Sequence, residues 1–490
     1  MRALRRLSVA AYALVIAAAV LFFCSKSSPG YPINDWTDAN IYFTIGKAMT
    51  QGQVVYRDLY DHKGPLLYAL HALCAWARFS DFTAVWVMEA VFQAAYLVAA
   101  YRLMRLWGAR RAAWAALPVL AVLVCSSYSF QQGDSAEELC LPLLVWPVVW
   151  LVELIESGEE RMPARRLALS GVLGGCVLWI KFTLLGMVAG WLIALALRPA
   201  PGRRLRALGR TAGWYALGGA LATLPWILYF GLNEALGDWL KTYLYDNLFL
   251  YGAAQGGGLA GRLKEMAVSA ASWLGENLRY APLLLMALGW SLRRGARERA
   301  AVWLMAGLGA LGVFAGGKSY PYYGLALAAL CPLGLAPVMI WLEKHVPRGW
   351  EAALAAVCAA ASVALCPLVS HNMTADYGAS FGQPREETMQ YRIAAHLEPG
   401  ASLLNYGFMD AGFYTAAQLV PQVKYFHQTN VPLDAMLSEQ KRYIDEAVCD
   451  YVVSRGNHPA SLTERYELVA TAPSPNFWYD EVSLYRRMEP

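Results

Sequence analysis

Uninterrupted apolar runs of roughly 15–22 residues recur along this chain, and about 20 residues of helix cross a bilayer. In lipid every backbone N–H and C=O has to be paired inside the protein, which leaves only helices and closed barrels. These runs are continuous, not alternating, so they select helices. Composition agrees: the 490 residues are 57% hydrophobic and 16% charged, against a norm of about 25% charged. The net charge of +5 is small, and the basic residues sit mainly in short loops between the runs. They report orientation and give no sign of nucleic-acid binding. Of the nine Cys, Cys125, Cys140, Cys176, Cys331, Cys358 and Cys366 lie within apolar runs, with neither CxxC nor metal-type spacing. They read as small buried hydrophobes. Cys449 stands alone in the C-terminal region, so no disulfide is expected within it.

The N-terminus has the charged start of a signal peptide, but its apolar core is too long and no A-x-A site ends it; it is read as a retained first helix. Arg2, Arg5 and Arg6 place that start in the cytoplasm. The clusters Arg102/Arg105/Arg110/Arg111, Arg161/Arg165/Arg166, Arg198/Arg203/Arg204/Arg206/Arg210, Arg293/Arg294/Arg297/Arg299 and Lys344/Arg348 belong on the same side. Parity then requires Leu66–Phe79 to lie in the outer interface instead of crossing. Spans are expected near 7–25, 82–105, 112–130, 138–155, 167–180, 182–197, 212–230, 279–292, 300–315, 320–342 and 350–369, about eleven in all. The stretch Leu167–Leu197 must be two short helices broken at Lys181, because one long helix would invert everything after it.

This topology puts the polar segments 31–65, 131–138, 231–278 and 316–320 on the outer side, together with the tail. The tail carries strand-like pieces at Ser402–Tyr406, Tyr451–Ser454, Tyr466–Ala470 and Val482–Tyr485 between helical and turn-rich stretches. The chain thus divides into a transmembrane module over 1–370, whose first outer loop is 26–81, and a small extracytoplasmic α/β domain over 371–490. No internal repeat of about 20–50 residues is evident.

The outer loops hold the residues that can do chemistry. Asp35 and Asp38 open a polar island that runs to Pro65. At i, i+3 they share a face if the segment is helical, and a carboxylate so placed can take a proton from a hydroxyl. A solvated loop with an N-cap Asp would give the same spacing. Gly133-Asp134-Ser135-Ala136-Glu137-Glu138 forms a second acidic loop before a span. Capping by Asp134 or Ser135, with Glu in the first turn, accounts for it equally well. Lys63, preceded by His62, together with Lys181 and Lys318, are the sparse cations of the short outer loops. Lys318 stands beside Tyr320, Tyr322 and Tyr323. Cations, hydroxyls and small residues suit a phosphate at the membrane face; lone lysines also snorkel, and tyrosines populate the aromatic belt.

The first loop reads Asp38-Ala-Asn-Ile-Tyr42-Phe-Thr-Ile-Gly46, then Gly52…Tyr56-Arg57-Asp58, then His62-Lys63-Gly64-Pro65-Leu66-Leu67-Tyr68. With the second acidic loop at Gly133–Glu138 and the late outer turn at Gly317–Tyr323, it resembles the GT-C superfamily of polyprenyl-phosphate-dependent glycosyltransferases. The similarity is closest to bacterial relatives of protein O-mannosyltransferases and the lipid A aminoarabinose transferases. It covers roughly residues 1–340, and the first-loop motif is its specific part. Many mannosyltransferases pair Asp with Glu in that loop, whereas here Trp36 follows Asp35; the spacing to Tyr42 and Gly46 favours Asp38 as the base.

The resemblance implies an all-α polytopic membrane protein that transfers a sugar from a polyprenyl-phosphate donor to an extracytoplasmic glycan, lipid or protein acceptor, with inversion. Asp38, or Asp35, would be the general base. Lys63, with His62, Lys181, Lys318 and Tyr322, would bind the donor phosphate, and Glu137 or Asp134 would position the acceptor. Neither D-x-D nor D-x-E occurs in the first two outer loops, so no metal or other cofactor is expected. The expected location is the cell membrane, N-terminus cytoplasmic and C-terminal domain outside. A transporter or flippase of a lipid-linked glycan is the competing reading: Lys181 would suit it, but the charges cluster at one face.

Overall fold

The computed structural model describes residues 2–251, 259–316, 318, 320–373, 380–456, 458–474 and 481–488. They group into two compact units. One comprises 1–25, 87–225 and 257–372; the other comprises 26–86, 226–256 and 373–490. The first outer loop thus clusters with the tail, although the two are more than 300 residues apart in sequence.

The first unit is helical. Six helical segments among the described residues are long and apolar enough to cross a membrane: Thr83–Leu106, Ala136–Glu156, Ala164–Ala196, Arg204–Leu232, Pro321–His345 and Glu351–Val369. Shorter apolar helices occupy Ser8–Cys24, Pro65–Ala77, Ala113–Cys125 and Ala281–Ser291. Length and composition therefore mark a multi-pass membrane protein but do not reproduce a count of eleven. One reason is visible at Ala164–Ala196. A straight helix of that length would be about 50 Å long, well beyond the roughly 30 Å hydrocarbon core. Instead, the backbone at Lys181 is extended (φ −155°, ψ 98°), and a short 3₁₀ turn, Phe182–Leu184, follows. Ser170 and Gly174 from the first limb line one small cleft with Met187 and Trp191 from the second. The ends of both limbs far from Lys181 also reach the same place, because Arg166 pairs with Glu153 at 2.8 Å and Arg198 donates to the Leu154 carbonyl at 3.2 Å. The segment is a hairpin with Lys181 at its tip.

Small residues let the helices of this unit touch backbone to backbone, as apolar helices in lipid require. At Gly190 an added Cβ would lie 2.5 Å from the Leu304 carbonyl oxygen. None of the nine cysteines takes part in a disulfide, and each is buried or half-buried.

In the second unit the Thr37–Thr50 helix crosses the Pro65–Ala77 helix so closely that a Cβ on Gly46 would sit 2.6 Å from the His71 backbone carbon. The tail builds a four-stranded sheet from β1 (Leu403–Asn405), β2 (Tyr451–Ser454), β3 (Tyr466–Pro473) and β4 (Glu481–Arg487), in the order β1-β2-β4-β3. β1 and β2 run parallel, and the other pairs are antiparallel. All four strands fall where the sequence places them. Leu404, Ile444, Cys449, Val452 and Leu462 fill the core beneath the sheet. The described residues of 231–278, a segment read from sequence only as polar, are largely helical, including a π-helix over Leu240–Tyr251.

Overpacking a helix crossing costs about 1–3 kcal/mol or more. Gly190→Leu should therefore sharply lower the yield and thermal midpoint of purified protein. Gly289→Leu, at a position where an added Cβ meets nothing within 4 Å, should leave both unchanged; size-exclusion profiles and thermal unfolding in detergent check the pair.

Candidate active site

The start of the Thr37–Thr50 helix sets the geometry of the first loop. Asp38 lies in its first turn, 4% exposed, where a carboxylate is favoured by the helix dipole. Its Oδ2 accepts from the Tyr42 hydroxyl at 3.1 Å, one helical turn on, and stands 3.5 Å from Lys63 Nζ. Lys63 is fixed from both sides through its backbone. Its N–H donates to the Tyr68 hydroxyl at 3.0 Å, and its carbonyl accepts from the Tyr56 hydroxyl at 2.6 Å. Tyr68 in turn donates to Asp61. The Tyr42 ring meets those of Tyr68 and His71 edge to face.

The neighbouring His62 is buried, meets the Tyr251 ring in a tilted contact with centroids 5.1 Å apart, and accepts at its carbonyl from Asn247 at 2.7 Å. Burial, then the Lys63 charge, push its imidazole below the usual histidine value, against the pull of Asp61. At neutral pH it is therefore an uncharged ring. For Asp61, burial alone would raise the carboxyl. The His62 hydrogen bond, and then the charges of Lys63 and of His62 and His427 in their acid forms, hold it well below the carboxylate range instead.

Asp35 stands apart from this arrangement. It precedes the helix, whose N-cap is Trp36 without a side-chain cap, so the two carboxylates do not share a helical face and no Asp caps the helix. Asp35 instead forms a 2.7 Å ion pair with Lys26, which is 1% exposed.

In the other unit the second acidic loop has a separate architecture. Ser135 is the N-cap of Ala136–Glu156, its Oγ accepting from the Glu138 N–H at 3.0 Å. Glu137, in the first turn, forms an ion pair with Lys181 at the tip of the hairpin. The Lys181 ammonium also lies over the faces of Tyr322 and Tyr323, 5.1 and 4.1 Å from their centroids. Four residues singled out on sequence grounds thus belong to one cluster. Lys318 is half-buried, between two positions outside the described residues. Asp134, fully buried with φ +63°, enters through its backbone: its N–H donates to Glu89 Oε1 at 2.8 Å and to Glu138 Oε2 at 3.0 Å.

Sequence reasoning passed over Glu89, Lys47, Asp61 and Lys26. Glu89 had a signal, being a carboxylate within an apolar span; Ser25 Oγ donates to both of its oxygens, at 2.9 and 2.8 Å. Lys47 and Asp61 had none beyond their place in the polar island.

Nearly the whole chain has the fold of ArnT. The crystal structure of ArnT from Cupriavidus metallidurans bound to undecaprenyl phosphate matches with a TM-score of 0.58 and 16% identity, over 98% of this chain and 97% of that one. The apo structure of the same protein matches with a TM-score of 0.61 and 14% identity, over 96% and 97%. No protein-family model matches the chain, and no curated protein matches it in sequence. At these identities the likeness is one of fold, as the first-loop motif led us to expect.

His62 makes stability pH-dependent. The unfolded imidazole titrates near 6.5 and the folded one lower. Below pH 6.5 the unfolded chain binds more protons, so stability falls with pH until the folded ring itself protonates. His62→Gln should make this acid loss shallower, measured as thermal midpoints between about pH 5 and 7.

Proposed function

We propose that this protein is a membrane glycosyltransferase that moves a sugar from a polyprenyl-phosphate donor to an extracytoplasmic acceptor, with inversion. The observation that carries the reading is the Asp38–Lys63 pair, 3.5 Å apart in a buried, aromatic-walled corner of a chain with the ArnT fold. Undecaprenyl phosphate is bound in one of the ArnT structures, and a polyprenyl phosphate is the donor class we assign here.

Asp38 accepts the proton of the acceptor hydroxyl as its oxygen attacks the anomeric carbon. The bond from that carbon to the phosphate oxygen breaks, and the lipid phosphate leaves with the electron pair. Lys63 neutralises the charge that develops on the leaving oxygen, the kind of preorganised electrostatic term that carries much of catalysis. Its ammonium stands 3.5 Å from Asp38, so base and cation flank the same reacting centre. His62, uncharged, supplies a hydrogen bond in place of a charge. Lys181, oriented by Glu137 and backed by Tyr322, is a second phosphate-binding candidate, with Lys318 a third; Asp134 shapes the loop that carries Glu137. Asp35 is committed to Lys26 and is not the base. We assign the 26–81 loop and the tail to the extracytoplasmic side of the cell membrane, with the N-terminus in the cytoplasm, and we propose that transfer needs no metal.

The deciding experiment incubates purified full-length protein with a panel of polyprenyl-phosphate sugars and follows release of free lipid phosphate. Release tied to sugar transfer supports the reading. Movement of intact lipid-linked sugar across liposomes without release would replace it with a flippase. Asp38→Asn should reduce transfer by about a thousandfold or more, and Lys63→Met by about a hundredfold, both with normal membrane insertion. Full activity after EDTA treatment is expected, and a requirement for added divalent cation would refute metal independence.

A further inference from the structure

The Thr37–Thr50 helix presents different faces to the base and to the tail. At about 100° per residue, Thr37, Asn40, Thr44 and Lys47 form one stripe, while Asp38, Tyr42 and Ile45 form another about 150° round the helix. The first stripe meets residues 409–414 at four points. Thr37 Oγ1 donates to Met409 Sδ at 3.9 Å, Thr44 Oγ1 to Asp410 Oδ2 at 2.7 Å, and Lys47 Nζ to the Tyr414 carbonyl at 2.8 Å. Gly412, at φ +96°, closes on the helix so tightly that a Cβ would sit 3.0 Å from Asn40 Oδ1 and 2.9 Å from Ile33.

These contacts are not interchangeable with water. Thr44, Lys47 and Asp410 are each 0% exposed, and a buried polar group that loses its partner pays the full desolvation cost. The Lys47 ammonium has further support from the faces of Phe43 and Phe79, at 5.5 and 5.2 Å.

The 409–414 turn is itself fastened to the sheet. Asn405, at the end of β1, donates to Asp410 Oδ1 at 3.2 Å, and the Gly412 N–H donates to the same oxygen at 3.0 Å. The Tyr414 hydroxyl donates to the Leu403 carbonyl in β1. One carboxylate, Asp410, therefore ties a strand, its own turn and the helix that carries Asp38.

We propose that residues 409–414 are a positioning clamp for transfer: through Thr44 and Lys47 they fix the height and rotation of the Thr37–Thr50 helix, and so hold Asp38 against Lys63. The inference rests on Asp38 being the base. It gives the C-terminal domain a part in the rate of the chemical step, separate from any part in acceptor binding. Asp410 and Thr44 are positioning residues that act through the helix; neither touches the reacting atoms. A misplacement of about 1 Å at a reacting group can cost a hundredfold in rate, which is the leverage such a clamp has.

The test uses full-length protein and the polyprenyl-phosphate sugar found active in the panel. Thr44→Val removes the hydroxyl at nearly constant volume, and Thr44→Ser keeps it. The Val variant should lose about tenfold or more in kcat, with KM for both substrates within about twofold of wild type, and the Ser variant should recover most of the loss. A purely structural role would lower the yield of folded protein and leave kcat per folded molecule unchanged. Gly412→Ala strains the same turn without deleting a bond, and it should give a smaller fall in kcat of about threefold; it decides the matter if Thr44→Val does not fold. Folded variants with wild-type kcat, alongside an inactive Asp38→Asn protein, overturn the clamp and leave the base standing. An active Asp38→Asn protein overturns the base itself.

Discussion

The site in the first loop depends on one close helix crossing. Where Gly46 meets His71 there is no room for a side chain, and only that approach brings the start of the Thr37–Thr50 helix level with the residues that lead into Pro65–Ala77. Asp38 and Lys63 are 25 positions apart in sequence and 3.5 Å apart in space because of it. The aromatic rings of Tyr42, Tyr68 and His71 fill the angle between the two helices.

Charge is handled sparingly throughout the chain. In the helical unit, Lys181 interrupts an apolar stretch, and the backbone breaks there, so that the ammonium meets Glu137 and two tyrosine faces. A charge in such surroundings persists only when paired. Glu89 obeys the same rule with neutral donors: the Ser25 hydroxyl and the Asp134 amide satisfy it. In the other unit Lys26 and Asp35 pair, and Lys47 finds a carbonyl and two aromatic faces. Except in the Lys26–Asp35 pair, the polar partners lie 44 or more positions away, so these charges specify how the elements dock as well as what they can do.

Much of this was legible in the sequence. The apolar runs fixed a helical membrane protein, since lipid offers the backbone no alternative partner. The parity of the Arg clusters required a break at Lys181, and the hairpin is there. Four tail strands were readable from their β-branched and aromatic content. The motif around Asp38 and His62-Lys63-Gly64-Pro65 pointed to an aminoarabinose-transferase-like fold, and the chain has the fold of the ArnT structures even though its identity to them is only 14–16%. The number of spans was less secure, because several helices of this chain are shorter than a straight crossing needs.

Local sequence could not say which charges meet. Spacing put Asp35 and Asp38 on one helical turn, but the helix starts between them, and a lysine nine residues earlier takes Asp35. Nothing near Lys47 or Asp410 in the sequence links them to the base, because their contacts join segments more than 360 residues apart. The sequence by itself determined the solvent for each segment and the conformations open to it, since those follow from hydrophobicity and backbone satisfaction over a few turns. Tertiary structure alone decided the partners of the buried ions, because that choice depends on which distant surfaces are pressed together once water is excluded.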